Sequence, residues 1–159
     1  MNIEIRLAVR DDWPTIAEFN CCLAEESEGK QLDRQHVDPG VRAILDDPRK
    51  GRYLVASAQV GSAQGRLVGQ LMHTYEWSDW RNGDIWWLQS VYVHPDFRRQ
   101  GVFRALFDRL RSEAETDAGV VGLRLYVEEH NTRAHETYRS LGLNNGGYFV
   151  MEKMHRRSI

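Results

Sequence analysis

Hydrophobic residues alternate with polar ones in several short stretches of this chain, and elsewhere they recur every three to four positions. Alternation is typical of a strand with one face in the core, whereas the longer spacing is typical of one face of a helix. Together these patterns predict six strands and four helices. The predicted strands are residues 3–7, 53–58, 66–75, 85–93, 120–127 and 148–154. The predicted helices span about 12–28, 33–45, 102–117 and 131–141.

Turn and capping residues separate these elements. Asp11 or Asp12 can cap the first helix, which has Pro14 in its first turn. Asn131 is a suitable N-cap for the last helix, and a glycine follows that helix at its C-terminal end. A glycine-containing turn at 61–65 joins two antiparallel strands, and residues 76–84 read as a polar loop. These signals therefore divide the chain into a succession of short strands and helices.

The element order predicts an α/β fold, more exactly an α+β arrangement with one mixed sheet. Residues 85–93 are almost continuously apolar, which predicts a central strand that is buried on both faces. The strand at 120–127 follows a helix and should return beside the central strand through a right-handed crossover. The predicted order is β-α-α-β-β-β-α-β-α-β, with a mostly antiparallel sheet flanked by helices.

Composition narrows the class of protein. The 159 residues are 42% hydrophobic and 28% charged, with a formal net charge of −2, which fits a single domain spanning 1–159 without a nucleic-acid-binding basic face. No apolar run reaches the ~20 residues of a membrane span, and no signal-peptide core is visible. The two cysteines, Cys21 and Cys22, are adjacent, so we expect a reducing cytoplasmic setting. The His and Cys spacings indicate no metal site, and no nucleotide-triphosphate loop is present.

The junction after the central strand carries the clearest chemistry. Pro95 ends the strand, Arg98 and Arg99 follow, and Gly101 precedes a helix with an apolar face. The first N–H groups of a helix lack partners within the helix, and the helix dipole makes that end partly positive. This strand–turn–helix junction therefore predicts a site for a phosphate-bearing ligand.

Two motifs give this junction a family resemblance. Arg98-x-x-Gly101-x-Phe103 resembles the pyrophosphate loop of the GNAT (Gcn5-related) N-acetyltransferases, although Phe103 occupies a position that usually holds a small residue. Asn131-x-x-Ala134-x-x-x-Tyr138, followed by a Leu-Gly-Leu run, resembles the second signature of that family. Both motifs occur in the family order, and the predicted elements resemble the GNAT topology over essentially the whole chain.

The resemblance implies an acetyl-CoA-dependent N-acetyltransferase that acts on a primary amine and commonly forms a homodimer. Backbone groups of Val91, Tyr92 and Val93 would bind the pantetheine arm and polarise the thioester carbonyl. Asn131 would reach the same arm, and Tyr138 would act as the general acid toward the departing thiolate. The loop residues that would bind the diphosphate are Arg98, Arg99, Gln100, Gly101, Val102, Phe103 and Arg104.

The general base is less clearly indicated. An alkyl ammonium has a pKa near 10.4, so neutralising it near pH 7.4 takes about 4 kcal/mol, part of which a base can supply. Some relatives carry a glutamate on the strand before the loop, but here the corresponding residue is Gln89. Glu26 and Glu28, at the acidic C-terminal end of the first helix, are the preferred candidates, with Glu76 and Asp84 as alternatives. The same acidic stretch favours a small cationic amine as acceptor.

Other interpretations remain open. The chain could be a non-catalytic acyl-CoA-binding module, or the acceptor could be a protein or peptide amine. Trp77 and Trp80, in the polar loop, could instead form a protein-interaction surface, wall an amine pocket or pack as a small core beneath the loop.

Overall fold

A computed structural model of the chain describes residues 2–59 and 65–155. Within them the backbone forms five strands and four α-helices. The strands are β1 (Ile3–Leu7), β2 (Arg52–Ala58), β3 (Arg66–Ser78), β4 (Gly83–Val93) and β5 (Val120–Leu125). The helices are α1 (Trp13–Glu28), α2 (Arg34–Asp46), α3 (Val102–Thr116) and α4 (Thr132–Ser140).

The strands form one sheet in the order β1-β2-β3-β4-β5. Strands β1 to β4 pair antiparallel, whereas β4 and β5 pair parallel across the connection that contains α3. A parallel pair requires a crossover of this kind, and a helix is the usual solution. The predicted mixed, mostly antiparallel sheet flanked by helices is confirmed.

Each face of the sheet buries an apolar layer. Helix α3 packs on one face through residues at helical spacing, with Leu106, Phe107 and Leu110 almost completely buried. Helices α1 and α2 pack on the other face, where Ile16 and Phe19 contact the sheet. The sheet is therefore the middle layer of three, and its strand ends carry the loops that form the site.

Most predicted elements are confirmed within a few residues, but the predicted N-cap of α1 does not form its side-chain hydrogen bond. Asp12 occupies the N-cap position without capping the helix through its side chain. Its carboxylate instead accepts a hydrogen bond from the backbone N–H of Val9 at 2.7 Å and pairs with Arg6 at 2.7 Å. Asn131, by contrast, caps α4 as predicted, because its Oδ1 accepts from the N–H of Ala134 at 3.0 Å.

Two predictions were wrong. Residues 148–154 form no strand, because within the described chain they pair with no other strand, and an isolated strand gains nothing from its extended backbone. Residues 76–84 are mostly strand, since β3 runs to Ser78 and β4 begins at Gly83, which leaves a short hairpin loop.

Strand β5 ends at Leu125, two residues before its predicted end. The predicted turn at 61–65 lies, apart from its last residue, outside the described residues.

None of the described helices is both long and apolar enough to cross a membrane. The thiols of Cys21 and Cys22, on α1, are both free.

Candidate active site

Strands β4 and β5 separate part of the way along the sheet. Their pairing runs from Asp84 opposite Val120 to Leu88 opposite Leu125, where β5 ends. Strand β4 continues to Val93, and in the described chain no strand covers that side of it. The backbone around Val91 therefore borders an open cleft between the two strands.

A β-bulge shapes the free part of β4. Opposite Gln70 and Met72 of β3 lie Tyr92 and Gln89, so β4 contains one more residue than β3 over this step. Ser90, within the bulge, has a left-handed φ of 49°, which is unusual for a residue other than glycine. The extra residue bends β4 where it leaves β5.

A buried polar network holds this bulge. Gln70 is fully buried, and its Nε2 donates to the carbonyl of Ser90 at 3.2 Å and to Oδ1 of Asn20 at 2.7 Å. Nδ2 of Asn20 in turn donates to the hydroxyl of Tyr53 at 3.0 Å. Because the network joins α1, β2, β3 and β4, it fixes the backbone of the bulge against the helical layer.

The loop before α3 presents a run of free backbone donors. In the described part of the chain, the amide N–H groups of residues 99–104 donate no hydrogen bond. Gly101 has a φ of 81° and Arg99 a φ of 62°, so the backbone turns sharply into the helix. Six consecutive free amides at a helix N-terminus form a site for an anion with several oxygens.

The side chains of this loop mostly contact the protein itself. Nε of Arg98 donates to the carbonyl of Val93 at 2.9 Å, and its Nη2 lies 2.5 Å from Oε2 of Glu26. Nε2 of Gln100 donates to the carbonyl of Asp96 at 2.8 Å. These bonds brace the loop against β4 and α1, whereas the guanidinium groups of Arg99 and Arg104 form no hydrogen bond or ion pair with the described residues.

Phe103 lies on the first turn of α3 and packs against two other aromatic rings. Its ring meets the ring of Tyr138 edge-on, with centroids 6.0 Å apart, and also contacts Phe107. The bulk of Phe103 is therefore accommodated between α3 and α4. Val102, next to it, is buried in the core, so only its backbone faces the loop.

Five of the predicted site residues, which come from both motifs and from β4, meet at one cavity. A space of about 350 Å³ is lined by Val91, Arg98, Phe103, Asn131, Arg133, Ala134, Thr137 and Tyr138. The sequence separates these residues into three segments, which β4, α3 and α4 bring together. Val93, Tyr92, Arg99, Gln100, Gly101, Val102 and Arg104 adjoin this cavity in sequence but do not line it.

Tyr138 has a hydroxyl with no partner. No side chain or backbone group of the described chain hydrogen-bonds to it, and burial raises the pKa of this phenol. The tyrosine therefore stays protonated at neutral pH, with its proton free to be donated. Asn131 is similar, because capping uses only its Oδ1 and leaves Nδ2 free.

A second, larger cleft adjoins the first cavity at the parted strands. Its volume is about 710 Å³, and its walls come from α1, α2, β4, β5 and α4. It shares Val91, Asn131, Ala134 and Tyr138 with the smaller cavity. The two spaces thus meet at Tyr138, which lets two ligands approach each other there.

The carboxylates differ in their access to this cleft. Glu28 lines it beside Lys30, whose Nζ lies 2.6 Å from Oε2 of Glu28. Glu26 lines neither space, because its oxygens are bound to Arg98 and to the hydroxyl of Tyr92, which donates at 3.1 Å.

The alternative bases are less suitable. Glu76 accepts from Nε1 of Trp87 at 2.7 Å and from Arg124 at 2.9 Å, and the bond from Trp87 holds the pKa of Glu76 below its usual value. Asp84 lies near the start of β4, away from both spaces. Gln89 lines the cleft and donates to Oγ1 of Thr74 at 2.7 Å.

Trp77 and Trp80 take no part in either space. Their side chains are 61% and 86% exposed, which contradicts the predicted small core beneath the loop, and neither lines either of the two spaces. The interpretation of these rings as walls of an amine pocket stays a prediction. A surface role remains a prediction.

Sequence reasoning missed several residues of the site. Arg133 adds a cation to the smaller cavity, and Glu128 adds a carboxylate to the larger cleft, just after β5. The position of Arg133, in the first turn after a predicted N-cap, was the available signal. Gln70 had no comparable signal, because one polar residue within an otherwise apolar strand pattern does not indicate which residues it will contact.

Among the described residues, no three His, Cys, Asp or Glu side chains gather as a metal ion would require.

Comparison with protein families gives a match to the acetyltransferase (GNAT) family over residues 12–143. A thialysine N-epsilon-acetyltransferase of Bos taurus is 34% identical over 95 residues, which cover 57% of this chain and 55% of that protein. A [ribosomal protein bS18]-alanine N-acetyltransferase of Salmonella typhimurium is 46% identical over 76 residues, covering 45% and 51% of the two chains. The chain thus spans about half the length of the curated relatives that it matches.

Solved structures extend the likeness to the full chain. A possible acetyltransferase from Clostridium difficile 630 superposes with a TM-score of 0.88 at 45% identity, covering 99% of this chain and 100% of that one. A ribosomal-protein-alanine N-acetyltransferase from Brucella melitensis biovar Abortus 2308 has a TM-score of 0.74 at 20% identity, covering 96% and 99%. At that identity the second structure supports the fold alone.

Proposed function

Because this chain belongs to the acetyltransferase (GNAT) family, we propose that it transfers an acetyl group from acetyl-CoA to a primary amine. The observation that carries the proposal is the run of free amides at residues 99–104, beside the parted strands. A diphosphate supplies the acceptor oxygens that these amides lack, and charge-assisted bonds of this kind contribute about 1.5–3 kcal/mol each.

The residues present fit coenzyme A. Residues 98–104 would hold its diphosphate, mainly through N–H groups, while Val91, Tyr92 and Val93 would offer their backbone to the pantetheine arm. The free Nδ2 of Asn131 would bind the same arm. When bound, acetyl-CoA supplies an activated acetyl thioester.

Two residues would then move protons. Tyr138 would donate its proton toward the thiolate sulfur, since a phenol remains protonated at neutral pH and here has no competing partner. We assign Glu28 as the group that takes the proton of the amine, directly or through a water, because it lines the larger cleft. Glu26 is retained as the second candidate.

For the acceptor we propose a small cationic primary amine. Glu28, Glu128 and Tyr126 all line the larger cleft, where Lys30 offsets one of the two negative charges through its ion pair with Glu28. Opposite charge and an aromatic face attract an ammonium group. The bovine relative is named for a small amine and the Salmonella relative for a protein amine, so a peptide N-terminus is the alternative acceptor.

An amine panel tests the proposed activity. Release of free thiol from acetyl-CoA should depend on protein and on amine, with small diamines and amino acids such as thialysine favoured over peptides that begin with alanine. Calorimetric binding of coenzyme A without turnover of any amine would favour the non-catalytic module. A preference for the peptides would move the acceptor to the protein class.

A pair of charge-removing variants tests the base. Glu28→Gln should lower kcat by about 10²-fold or more if Glu28 is the base, with little effect on the affinity for coenzyme A. Glu26→Gln should mainly raise the KM for acetyl-CoA, because it releases Arg98 from α1. The exposed Glu18→Gln, which loses only an ion pair to Arg34, is the matched control. The reverse pattern would assign the base to Glu26.

We also expect a homodimer and a cytoplasmic location. The free thiols of Cys21 and Cys22 are in keeping with a reducing compartment.

A further inference from the structure

We propose that the larger cleft binds the hydrocarbon stem of the acceptor, and that the chain therefore selects primary amines with an extended aliphatic stem. This inference rests on the proposed function, which makes the ligand of the cleft an amine. An apolar wall on the α1 and α2 side of the cleft carries the proposal. The residues of this wall are Leu23, Leu32, Val37, Val41, Ile44 and Met72.

The apolar wall is an open side of the packed core. Val41 and Met72 are only 3% and 7% exposed, and they belong to the cluster that packs α1 and α2 against the sheet. Leu23, Val37 and Ile44 are partly buried and pack against the same cluster. All five also line the cleft. A ligand that covers this wall transfers apolar surface out of water, which favours the binding of a hydrocarbon group.

Gly40 leaves a recess in the apolar wall. It lines the cleft from α2, and a Cβ at this position would meet no atom within 4 Å. Glycine inside a helix is less favourable than alanine, because it loses more backbone freedom on folding. Gly40 does not have the positive φ that would call for glycine. What its missing side chain provides is therefore space in the cleft.

The reacting end of the cleft lies at some distance from this wall. Tyr138, on α4, is shared with the smaller cavity, which borders β4 through Val91. Helix α2 packs over β2, which is separated from β4 by β3. Two strand spacings amount to about 10 Å. An amine that reacts beside Tyr138 therefore reaches the wall on α2 only through an extended stem.

The charges of the cleft fit an ammonium at one end of such a stem. Glu28 and Glu128 supply negative charge, whereas the residues that α2 contributes to the cleft, within the described chain, are Val37, Gly40, Val41 and Ile44. An ammonium held against these residues would lose its hydration without gaining a partner. Gly40 is exposed, so a polar group at the far end of the stem can reach water there.

A series of unbranched alkylamines tests the stem. Ethylamine, butylamine and hexylamine carry the same charge on stems of increasing length, and kcat/KM with acetyl-CoA should rise by about two- to fourfold per methylene. Gly40→Leu fills the recess, so it should lower the hexylamine-to-ethylamine ratio of kcat/KM by about tenfold or more. The matched control Gln35→Leu, at an exposed position of α2 outside the cleft, should keep the wild-type ratio. This ratio is unaffected by the amount of folded protein.

Calorimetry separates the stem from the reaction. Each amine is titrated into the protein saturated with coenzyme A, and its Kd should fall along the series without any turnover. A Kd that falls while no amine is acetylated would support the stem site and overturn the proposed acetyl transfer. Acetylation with the same kcat/KM at every stem length would overturn the stem site and support the transfer. A ratio lowered equally by Gln35→Leu and Gly40→Leu would also overturn the stem site, since the recess would then not hold the stem.

Discussion

Tyr138 lines both spaces, and its hydroxyl has no hydrogen-bond partner in the described chain. Tyr138→Phe keeps the ring and its edge-on contact with Phe103 while removing the proton. If Tyr138 is the general acid, kcat should fall by about 10²-fold or more, whereas the Kd for coenzyme A should stay within about twofold. Steady-state kinetics and calorimetry measure these quantities. An unchanged kcat would remove Tyr138 from the mechanism.

His73 is a buried base that the proposed reaction does not use. It is 1% exposed, its ring stacks on Trp86 at 4.3 Å, and neither ring nitrogen has a hydrogen-bond partner among the described residues. Burial, with a smaller contribution from the charge of Arg52, lowers the pKa of His73 to about 4. The folded protein therefore keeps this imidazole neutral where an exposed one would be charged.

The buried imidazole predicts a loss of stability in mild acid. An unfolded histidine binds a proton near pH 6.5, but folded His73 does so only near pH 4. Between these values the unfolded state holds more protons, so the free energy of unfolding falls as the pH falls, by about 2 kcal/mol from pH 8 to pH 5. Urea unfolding should show this slope reduced in His73→Leu.

The exposed His130→Gln serves as the control for His73, and it should keep the wild-type slope. An identical pH dependence in His73→Leu would show that other groups cause the acid sensitivity.

At the scale of the element, the start of α3 depends on one backbone angle. A Cβ at Gly101 or at Gly40 would meet no atom within 4 Å, but only Gly101 has a positive φ, of 81°. Gly101→Ala should therefore cost about 1–2 kcal/mol through the backbone alone, whereas Gly40→Ala, inside α2, should stabilise by about 0.5–1 kcal/mol.

Urea midpoints measure both glycine variants, and calorimetry should show weaker coenzyme A binding only for Gly101→Ala. Equal stability in the two variants would mean that the φ at residue 101 relaxes without cost.

At the scale of the whole molecule, ligand binding should stabilise the fold through the loop amides. Coenzyme A at about 100 times its Kd should raise the free energy of unfolding by about 2.7 kcal/mol. Pantetheine lacks the diphosphate, so at the same concentration it should shift the urea midpoint far less. Equal shifts would place the main contacts away from residues 99–104.

The sequence predicted those parts of the fold whose signals are local. Helix α3 follows from the helical spacing of its apolar residues, and its anion-binding start follows from Gly101 and the strand before it. The pairing of Arg98 with Glu26 spans 72 residues, so no local pattern indicates it. Glu26 was predicted as a candidate base from its acidic surroundings in the sequence, and its bond to Arg98 becomes visible only in the fold.

The C-terminal prediction failed for a related reason. Residues 148–154 have the composition of a strand, but a strand also needs an edge to pair with. Composition cannot show whether that edge belongs to the same chain. Residues 76–84 show the opposite error, since they were predicted as a loop although most of them are strand. Their polar side chains suggested a loop because β3 extends beyond the core here.

The bulge at Ser90 has a consequence for changes in chain length. Side chains of a strand alternate between faces, yet Gln89 and Tyr92, three residues apart, lie on the same face because each lies opposite a same-face residue of β3. Deleting one residue of the bulge would reduce the spacing of these two residues to two positions, equal to that of Gln70 and Met72, so the Tyr92 ring would stay against Phe19 while the bend in β4 was lost. A one-residue deletion in the regular part of β4 would instead turn the side chains beyond it to the opposite face.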